Sequence, residues 1–203
     1  MDQLLRYFTD FTDTQLRQLD QLKPLYTEWN EKINVISRKD IDHFYEHHVL
    51  HSLAIATQFD FKPGTSILDL GCGGGFPGVP LAIFYPKCEF LLADSIMKKL
   101  KVVNEVAAAC GITNIKTKHT RAEAITDQKF DVVVSRAVAP LKDLWFWSKP
   151  LLKKSTNNQG LICLKGGDLT QEIFESNCKP HVWSIEGIFT EPYFKEKYLL
   201  QVR

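Results

Sequence analysis

Asp69, Gly71, Gly73 and Gly75 stand two residues apart at the end of a short apolar run, Ser66-Ile67-Leu68-Asp69-Leu70. Glycine has no Cβ, so a chain with glycine at 71, 73, 74 and 75 turns tightly and lets a ligand lie directly on its backbone. A plain turn needs fewer glycines, because each adds entropy to the unfolded chain. The apolar run reads as a buried parallel strand. The segment after Gly78, Val79 to Phe84, reads as a helix start with Pro80 tolerated in its first turn. Strand, glycine turn and helix together open a nucleotide-type site, whose ligand lies outside the carboxyl ends of the strands. The dinucleotide fingerprint G-x-G-x-x-G/A needs a small residue where this chain has Phe76. The pattern D-x-G-x-G-x-G is satisfied instead, and an acid just before the turn suits a cofactor with an amino group and no pyrophosphate.

Further chemistry is expected at the later strand ends. Asp94 lies about twenty residues past the turn, where a carboxylate accepts hydrogen bonds from ribose hydroxyls; a helix-capping role for Asp94 or Ser95 is the simpler alternative. His119-Thr120-Arg121-Ala122-Glu123 falls where the adenine of such a cofactor lies, with backbone groups of Ala122 and Glu123 as readers of its edge. Arg136, in Ser135-Arg136-Ala137, is read either as facing both cofactor and incoming acceptor or as an isolated surface cation. Lys165, at the end of the fifth strand, points to the acceptor side. Lys98, Lys99 and Lys101 crowd a helix start, where the macrodipole disfavours cations. They are read as a solvated face or a contact for an anionic partner.

The elements that position these residues follow from periodicity. Strands are expected at 66–70, 88–93, 114–119, 130–135 and 159–165, with helices at 79–85, 95–110 and 141–152 between them. Two late β-rich runs, 182–189 and 197–202, form an antiparallel hairpin at the edge. Alternating strands and helices imply an α/β fold: a Rossmann-like, doubly wound, mostly parallel sheet covered on both faces. Residues 1–61 read as a helical extension packing on a core domain of 62–203, with the boundary at Lys62-Pro63-Gly64-Thr65. Thr12 and Gln15 fit a capping box. Leu16, Leu19, Leu22, Tyr26, Trp29 and Ile33 then form a helical stripe. Pro24 interrupts it and predicts a kink or two shorter helices. A second helix is expected over 41–59, capped by Asp40, with Phe44, Val49, Leu53 and Ala56 on its apolar face. Its histidines, 43, 47, 48 and 51, lack an H-E-x-x-H pattern and read as partly exposed surface residues rather than metal ligands.

A net charge of +1 excludes a uniform polycation, so any nucleic-acid contact is a local patch. Five cysteines, odd in number and never spaced C-x-x-C, argue against a disulfide framework or zinc site and for a reducing cytoplasm. No signal peptide and no apolar run of membrane length is seen.

The glycine turn resembles motif I of class I S-adenosylmethionine (SAM) methyltransferases. The combination W-N-x-x-I-N-x-I-S-R, L-D-L-G-C-G-G-G-F-P-G-V-P-L-A, R-A-E, S-R-A and L-K-G, from about Leu22 onward, resembles one family. It is the bacterial ribosomal RNA small subunit methyltransferase G family, also called glucose-inhibited division protein B. The resemblance implies a class I SAM-methyltransferase fold and transfer of methyl from SAM to N7 of one guanine in 16S rRNA, on naked RNA or the small ribosomal subunit. It implies cofactor contacts at Gly71, Phe76, Ala122, Glu123 and Arg136. A cytoplasmic monomer with no metal and no membrane partner is expected. Guanine N7 holds its lone pair at neutral pH, so alignment for in-line displacement suffices and no general base is needed. Phe76 or Trp145 is a candidate to stack on the base, and Cys72 reads as a small loop residue. His48-Val49-Leu50-His51-Ser52 departs from the family's H-x-L-D-S, and Glu196-Lys197-Tyr198-Leu199 from its E-R-H-L. Competing readings are a SAM methyltransferase acting on another RNA, a small molecule or a protein, an NAD-binding oxidoreductase, and a non-catalytic cofactor-binding or ribosome-assembly module.

Overall fold

The computed structural model describes residues 1–154 and 159–203. Its centre is a seven-stranded sheet: β1 (Ser66–Leu70), β2 (Glu89–Asp94), β3 (Ile115–His119), β4 (Val132–Arg136), β5 (Gly160–Gly166), β6 (His181–Ser184) and β7 (Lys197–Val202). The spatial order is β3-β2-β1-β4-β5-β7-β6. The first five strands are parallel, and β7 pairs antiparallel with both β5 and β6. The chain runs outward from β1 to β3, then returns to place β4 on the other side of β1. The carboxyl ends of β1 and β4 are therefore the switch point at which open α/β sheets bind ligands.

Side chains alternate across the sheet. Ile67, Val132, Val134 and Ile162 enter one apolar cluster with the N-terminal helices, α4 (Gly78–Phe84) and α5 (Met97–Ala109). Leu68, Leu70, Val133, Leu161 and Cys163 enter a second, with α6 (Leu141–Ser148). Gly111, at φ +64°, closes α5 by sending its own N–H to Ala108 and the Ile112 N–H to the Ala107 carbonyl.

Before the sheet come a single turn, α1 (Asp2–Leu5), and the long helix α2 (Asp13–Lys32). The capping box of Thr12 and Gln15 is present. Helix ends leave carbonyls without partners, and α2 supplies them: Gln15 Nε2 donates to the Ile83 and Phe84 carbonyls, and Gln18 Nε2 to those of Cys110 and Gly111. One helix thus caps the ends of α4 and α5.

Two expectations are corrected. Of the kink or two shorter helices expected at Pro24, the division is not found: Pro24 lies inside one helix of 20 residues. Proline cannot bond the carbonyl four residues back, and here the Tyr45 hydroxyl donates to the carbonyls of Leu19 and Asp20 at 3.1 and 3.2 Å. The expected helix 41–59 is instead a π-helical run, Tyr45–Leu50, then α3 (His51–Leu53) and a 3-10 turn, Ile55–Thr57. The five-residue step from Phe44 to Val49, both fully buried, is too long for one α-helical face and suits i→i+5 winding. Asp40 caps no helix, because its carboxylate accepts from His47 Nδ1 at 2.9 Å.

Tyr45→Phe is expected to lower stability by about 1 kcal/mol in urea unfolding, the usual worth of such a bond. In a Pro24→Ala background the same change costs less, since the substituted alanine supplies the missing N–H to the Asp20 carbonyl. An equal loss in both backgrounds would detach Tyr45 from the proline.

Candidate functional site

The turn after β1 is anchored on β2: the N–H groups of Gly71 and Cys72 both donate to the Ala93 carbonyl. Gly71, at φ +70°, packs so tightly on the loop after β4 that a Cβ would sit 2.7 Å from Val138. Gly75, at φ +100°, would drive a Cβ against Val79 and Tyr26. Both positions therefore need glycine on conformation and on space. The Phe76–Pro77 bond is cis, and the Tyr26 hydroxyl donates to the Gly74 carbonyl at 2.6 Å. The long N-terminal helix thus holds the turn as well as its neighbours' ends.

Asp69 lies behind the turn. It is fully buried; one oxygen accepts the Gly78 N–H at 2.7 Å, and the other has no hydrogen-bond partner. Burial pushes its pKa up to about 7, against the opposing pull of that N–H and of Arg136. Asp69 and Gly75 shape the turn without lining the cavity in front of it.

That cavity, about 540 Å³, opens at the switch point and is bordered by Gly71, Gly73, Phe76, Asp94, Ala122, Glu123 and Arg136. Asp94 uses both oxygens: one accepts the Gly73 N–H and the other the Ile96 N–H, each at 2.8 Å. The carboxylate is thereby fixed at the cavity edge, and each oxygen keeps a lone pair. Ala122 and Glu123 begin a 3-10 turn, so their N–H groups have no helical partner.

Arg136 ends β4. One guanidinium nitrogen donates to the His47 carbonyl at 3.1 Å, another to His48 Nδ1 at 3.0 Å, and its carbon lies 5.1 Å from the Phe76 ring centroid. The π winding prepares this contact, since it carries the His51 N–H to Glu46 past the His47 carbonyl. Arginine only donates, so His48 is neutral with its proton on Nε2. Burial first, then the charge of Arg136, lowers the His48 pKa to about 3. His51, buried and facing the Tyr193 hydroxyl at 3.2 Å, is also driven well down by burial.

His43 is exposed and His47 and His48 are half-buried, as partly exposed residues should be, whereas His51 is buried. His47, His48 and His51 border a second cavity of about 550 Å³, which shares Arg136, Ala137 and Val138 with the first. Ala137 is left-handed at φ +53°, a costly conformation held where the two cavities meet. Lys165 is also in the second cavity, but its ammonium is engaged: it pairs with Glu172 at 2.6 Å and donates to the Ala139 carbonyl. Cys72 is buried and its thiol is pushed well up by that burial, which keeps it protonated. Trp145 lies among the side chains of the α6 face.

Sequence reasoning missed Val35 and Tyr26. Asn30 accepts the Val35 and Ile36 N–H groups and donates to the Ile36 carbonyl. Val35 is thereby set against Gly74 and at the cavity edge. The W-N-x-x-I-N-x-I run carried that signal as a side chain able to serve a backbone loop. Among the described residues, no group of three or more His, Cys, Asp or Glu is arranged for a metal ion, and no helix is long and apolar enough to cross a membrane.

A sequence model described as rRNA small subunit methyltransferase G matches residues 15–197. The chain is 52% identical over 200 residues to the ribosomal RNA small subunit methyltransferase G of Cytophaga hutchinsonii, covering 97% of this chain and 96% of that one. It is 50% identical over 205 residues to the protein of the same name from Phocaeicola vulgatus, covering 100% and 98%. Among solved structures, a SAM-dependent methyltransferase from Aquifex aeolicus aligns with a TM-score of 0.56 at 12% identity, over 82% of this chain and 98% of that one. A MtNAS variant in complex with S-adenosylmethionine aligns with a TM-score of 0.59 at 12% identity, over 91% and 74%. At such identities these two likenesses concern the fold.

The buried Asp69 gives a pH test. A carboxyl whose folded pKa is raised to about 7, above its unfolded value, stabilises fully below the unfolded pKa and loses that contribution as pH rises through about 7. The destabilisation caused by Asp69→Asn, read by urea unfolding without cofactor, is therefore expected to be larger at pH 5 than at pH 8. The difference should be roughly 2–3 kcal/mol, at 1.36 kcal/mol per pH unit over the intervening titration. A pH-independent difference would show that Asp69 titrates alike in both states.

Proposed function

The chain belongs to the ribosomal RNA small subunit methyltransferase G family, and from that premise we propose that it transfers a methyl group from SAM to N7 of one guanine in 16S rRNA. It is a methyltransferase, and SAM is its cofactor. The observation that carries the reading is the pair of adjoining cavities, one of cofactor size over the glycine turn and one beside it, with Arg136 on both.

The first cavity fits the cofactor. Its volume is in the range for a small ligand. Asp94, fixed through Gly73 and Ile96, takes the ribose hydroxyls. The unpaired N–H groups of Ala122 and Glu123 read the adenine edge. Gly71, Gly73 and Phe76 give the backbone floor and side wall, while Asp69 and Gly75 keep the turn in shape behind it. When bound, SAM supplies an electrophilic methyl carbon for in-line displacement. Arg136 has five N–H donors. Two hydrogen bonds hold it on His47 and His48, and its remaining donors serve the cofactor's carboxylate or the acceptor's edge. Lys165 acts on the acceptor side by tying the Ala139 carbonyl to Glu172, which holds the loop between the cavities. Such positioning supplies roughly 7–11 kcal/mol of a barrier when two reactants are aligned.

The choice of N7 is supported by what the imidazoles are doing. The Nδ1 of His48 is occupied by Arg136, and that of His51 faces Tyr193. An acceptor that brings its own lone pair needs neither. One observation favours the rival of an acceptor atom that must lose a proton: His47, held through Nδ1 by Asp40, also borders the second cavity. General-base catalysis is worth 10²–10⁴-fold. For N7 transfer, His47→Gln is expected to cost less than tenfold in kcat; a fall of more than a hundredfold would favour the rival.

The direct test is transfer of labelled methyl from SAM to small ribosomal subunits of a strain lacking the gene, followed by nucleotide mapping. N7-methylguanine at one 16S site is expected; a different modified atom or no transfer would overturn the reading. In the same system Asp94→Ala should weaken SAM binding about 10- to 100-fold by calorimetry, the worth of a hydrogen bond to a charged group. Arg136→Ala should lower kcat at least a hundredfold. Arg136→Lys should not restore it, because lysine lacks the planar fork.

A further inference from the structure

The second cavity is built from parts of the chain that the cofactor site does not need. Its outer wall comes from the C-terminal hairpin, where Tyr193 precedes β7 and Lys197 begins it. One face of the Tyr193 ring is covered by His47, stacked at 3.8 Å with planes 16° apart, and His47 is stacked in turn on His43. Lys197 Nζ lies over the Tyr193 ring, 5.2 Å from its centroid, where an incoming base would have to displace it. The lysine has room because Gly166 faces it: a Cβ at Gly166 would lie 3.1 Å from that ammonium.

The charge balance of this cavity is specific. Lys165 and Glu172 neutralise one another at 2.6 Å. His48 and His51 are uncharged. Arg136 and Lys197 remain, and neither has a carboxylate within ion-pair distance among the described residues. A braced aromatic face beside two unneutralised cations is a site for a flat, electron-rich group that carries a negative charge close by. Bases stack on aromatic rings with about 1–3 kcal/mol each, and lysines meet their phosphates. At about 550 Å³ the cavity suits one nucleotide and excludes a duplex. An enzyme that acts on a base hidden in paired or stacked RNA has to turn it out.

We infer that the second cavity receives a single RNA nucleotide turned out of its strand, with Tyr193 as the face its base lies along and Lys197 as the contact for its phosphate. The assignment rests on the rRNA reading above and adds to it where the acceptor sits and which residues receive it. Lys197 stands where the family's E-R-H-L pattern has arginine, so the position keeps its positive charge. His47 acts as a positioning residue, since it backs the Tyr193 ring.

The test uses the full chain with small ribosomal subunits lacking the modification. Lys197→Met is expected to raise KM for subunits about tenfold. It should also reduce the slope of log KM against log salt by about 0.7–0.9, the loss of one phosphate contact. Tyr193→Leu is expected to lower kcat at least tenfold, and Tyr193→Phe, which keeps the ring, to lose less. In all three the SAM affinity should stay within threefold by calorimetry, which also shows that each variant is folded. If the wild type transfers methyl and both Lys197→Met and Tyr193→Leu keep kcat and KM within twofold, the assignment is overturned while the rRNA reading stands. A measurement independent of transfer separates the two further: rRNA containing 6-thioguanosine is photo-crosslinked to the enzyme and the peptides are mapped. Crosslinks to 193–197 support the assignment whichever atom is methylated, and crosslinks confined to other surfaces, or to none, overturn it.

Discussion

A guanidinium held without a carboxylate organises the centre of this molecule. Arg136 is partly buried, and the groups that touch it are a backbone carbonyl, a neutral imidazole and the Phe76 ring. Removing a charge from water is expensive unless hydrogen bonds satisfy it. Those bonds require residues 47 and 48 in one place and the glycine turn in another. The π winding at Tyr45–Leu50, the tilted and edge-on packing of Tyr26, Phe44 and His48 about Phe76, and the Tyr26 bond to Gly74 all serve this requirement. The buried acid Asp69 sits behind the turn and contributes through space. The cation is therefore stabilised inside the protein yet left open toward whatever anionic or electron-rich group enters either cavity.

The same arrangement explains why the N-terminal segment is integral to the site. It supplies caps for α4 and α5, a hydroxyl for the turn, Val35 for the edge of the first cavity, and His47, His48 and His51 for the second. Residues 1–61 share one apolar cluster with the sheet face. A glycine-rich turn is entropically unfavourable on its own, and here its geometry is imposed by helices on one side and Val138 on the other.

Much of this was legible from local pattern. Apolar runs of strand length placed β1, β2 and β4, and the carboxylate about twenty residues past the turn fell at the cavity edge, because strand ends are set by short-range periodicity. Trouble began where partners lie far apart in sequence. Nothing near Pro24 announces that Tyr45 will replace its missing hydrogen bond. Nothing near His48 announces Arg136, 88 residues later. Lys165 reads as a free strand-end cation until Glu172, on α7 (Thr170–Ser176), is brought to it by the fold. The i→i+5 step from Phe44 to Val49 was visible, yet an α-helical template hides it.

The cationic character of the second cavity bears on how the reaction ends. In the proposed transfer to N7 a neutral base becomes positively charged, while the cofactor surrenders its own positive charge. A cation lodged roughly 5 Å from Arg136 or Lys197 meets a repulsion of about 3 kcal/mol at an effective dielectric constant near 20. On that reading, the lining that draws in an electron-rich nucleotide rejects the methylated one, so the side chains proposed to admit the substrate would also discharge the product.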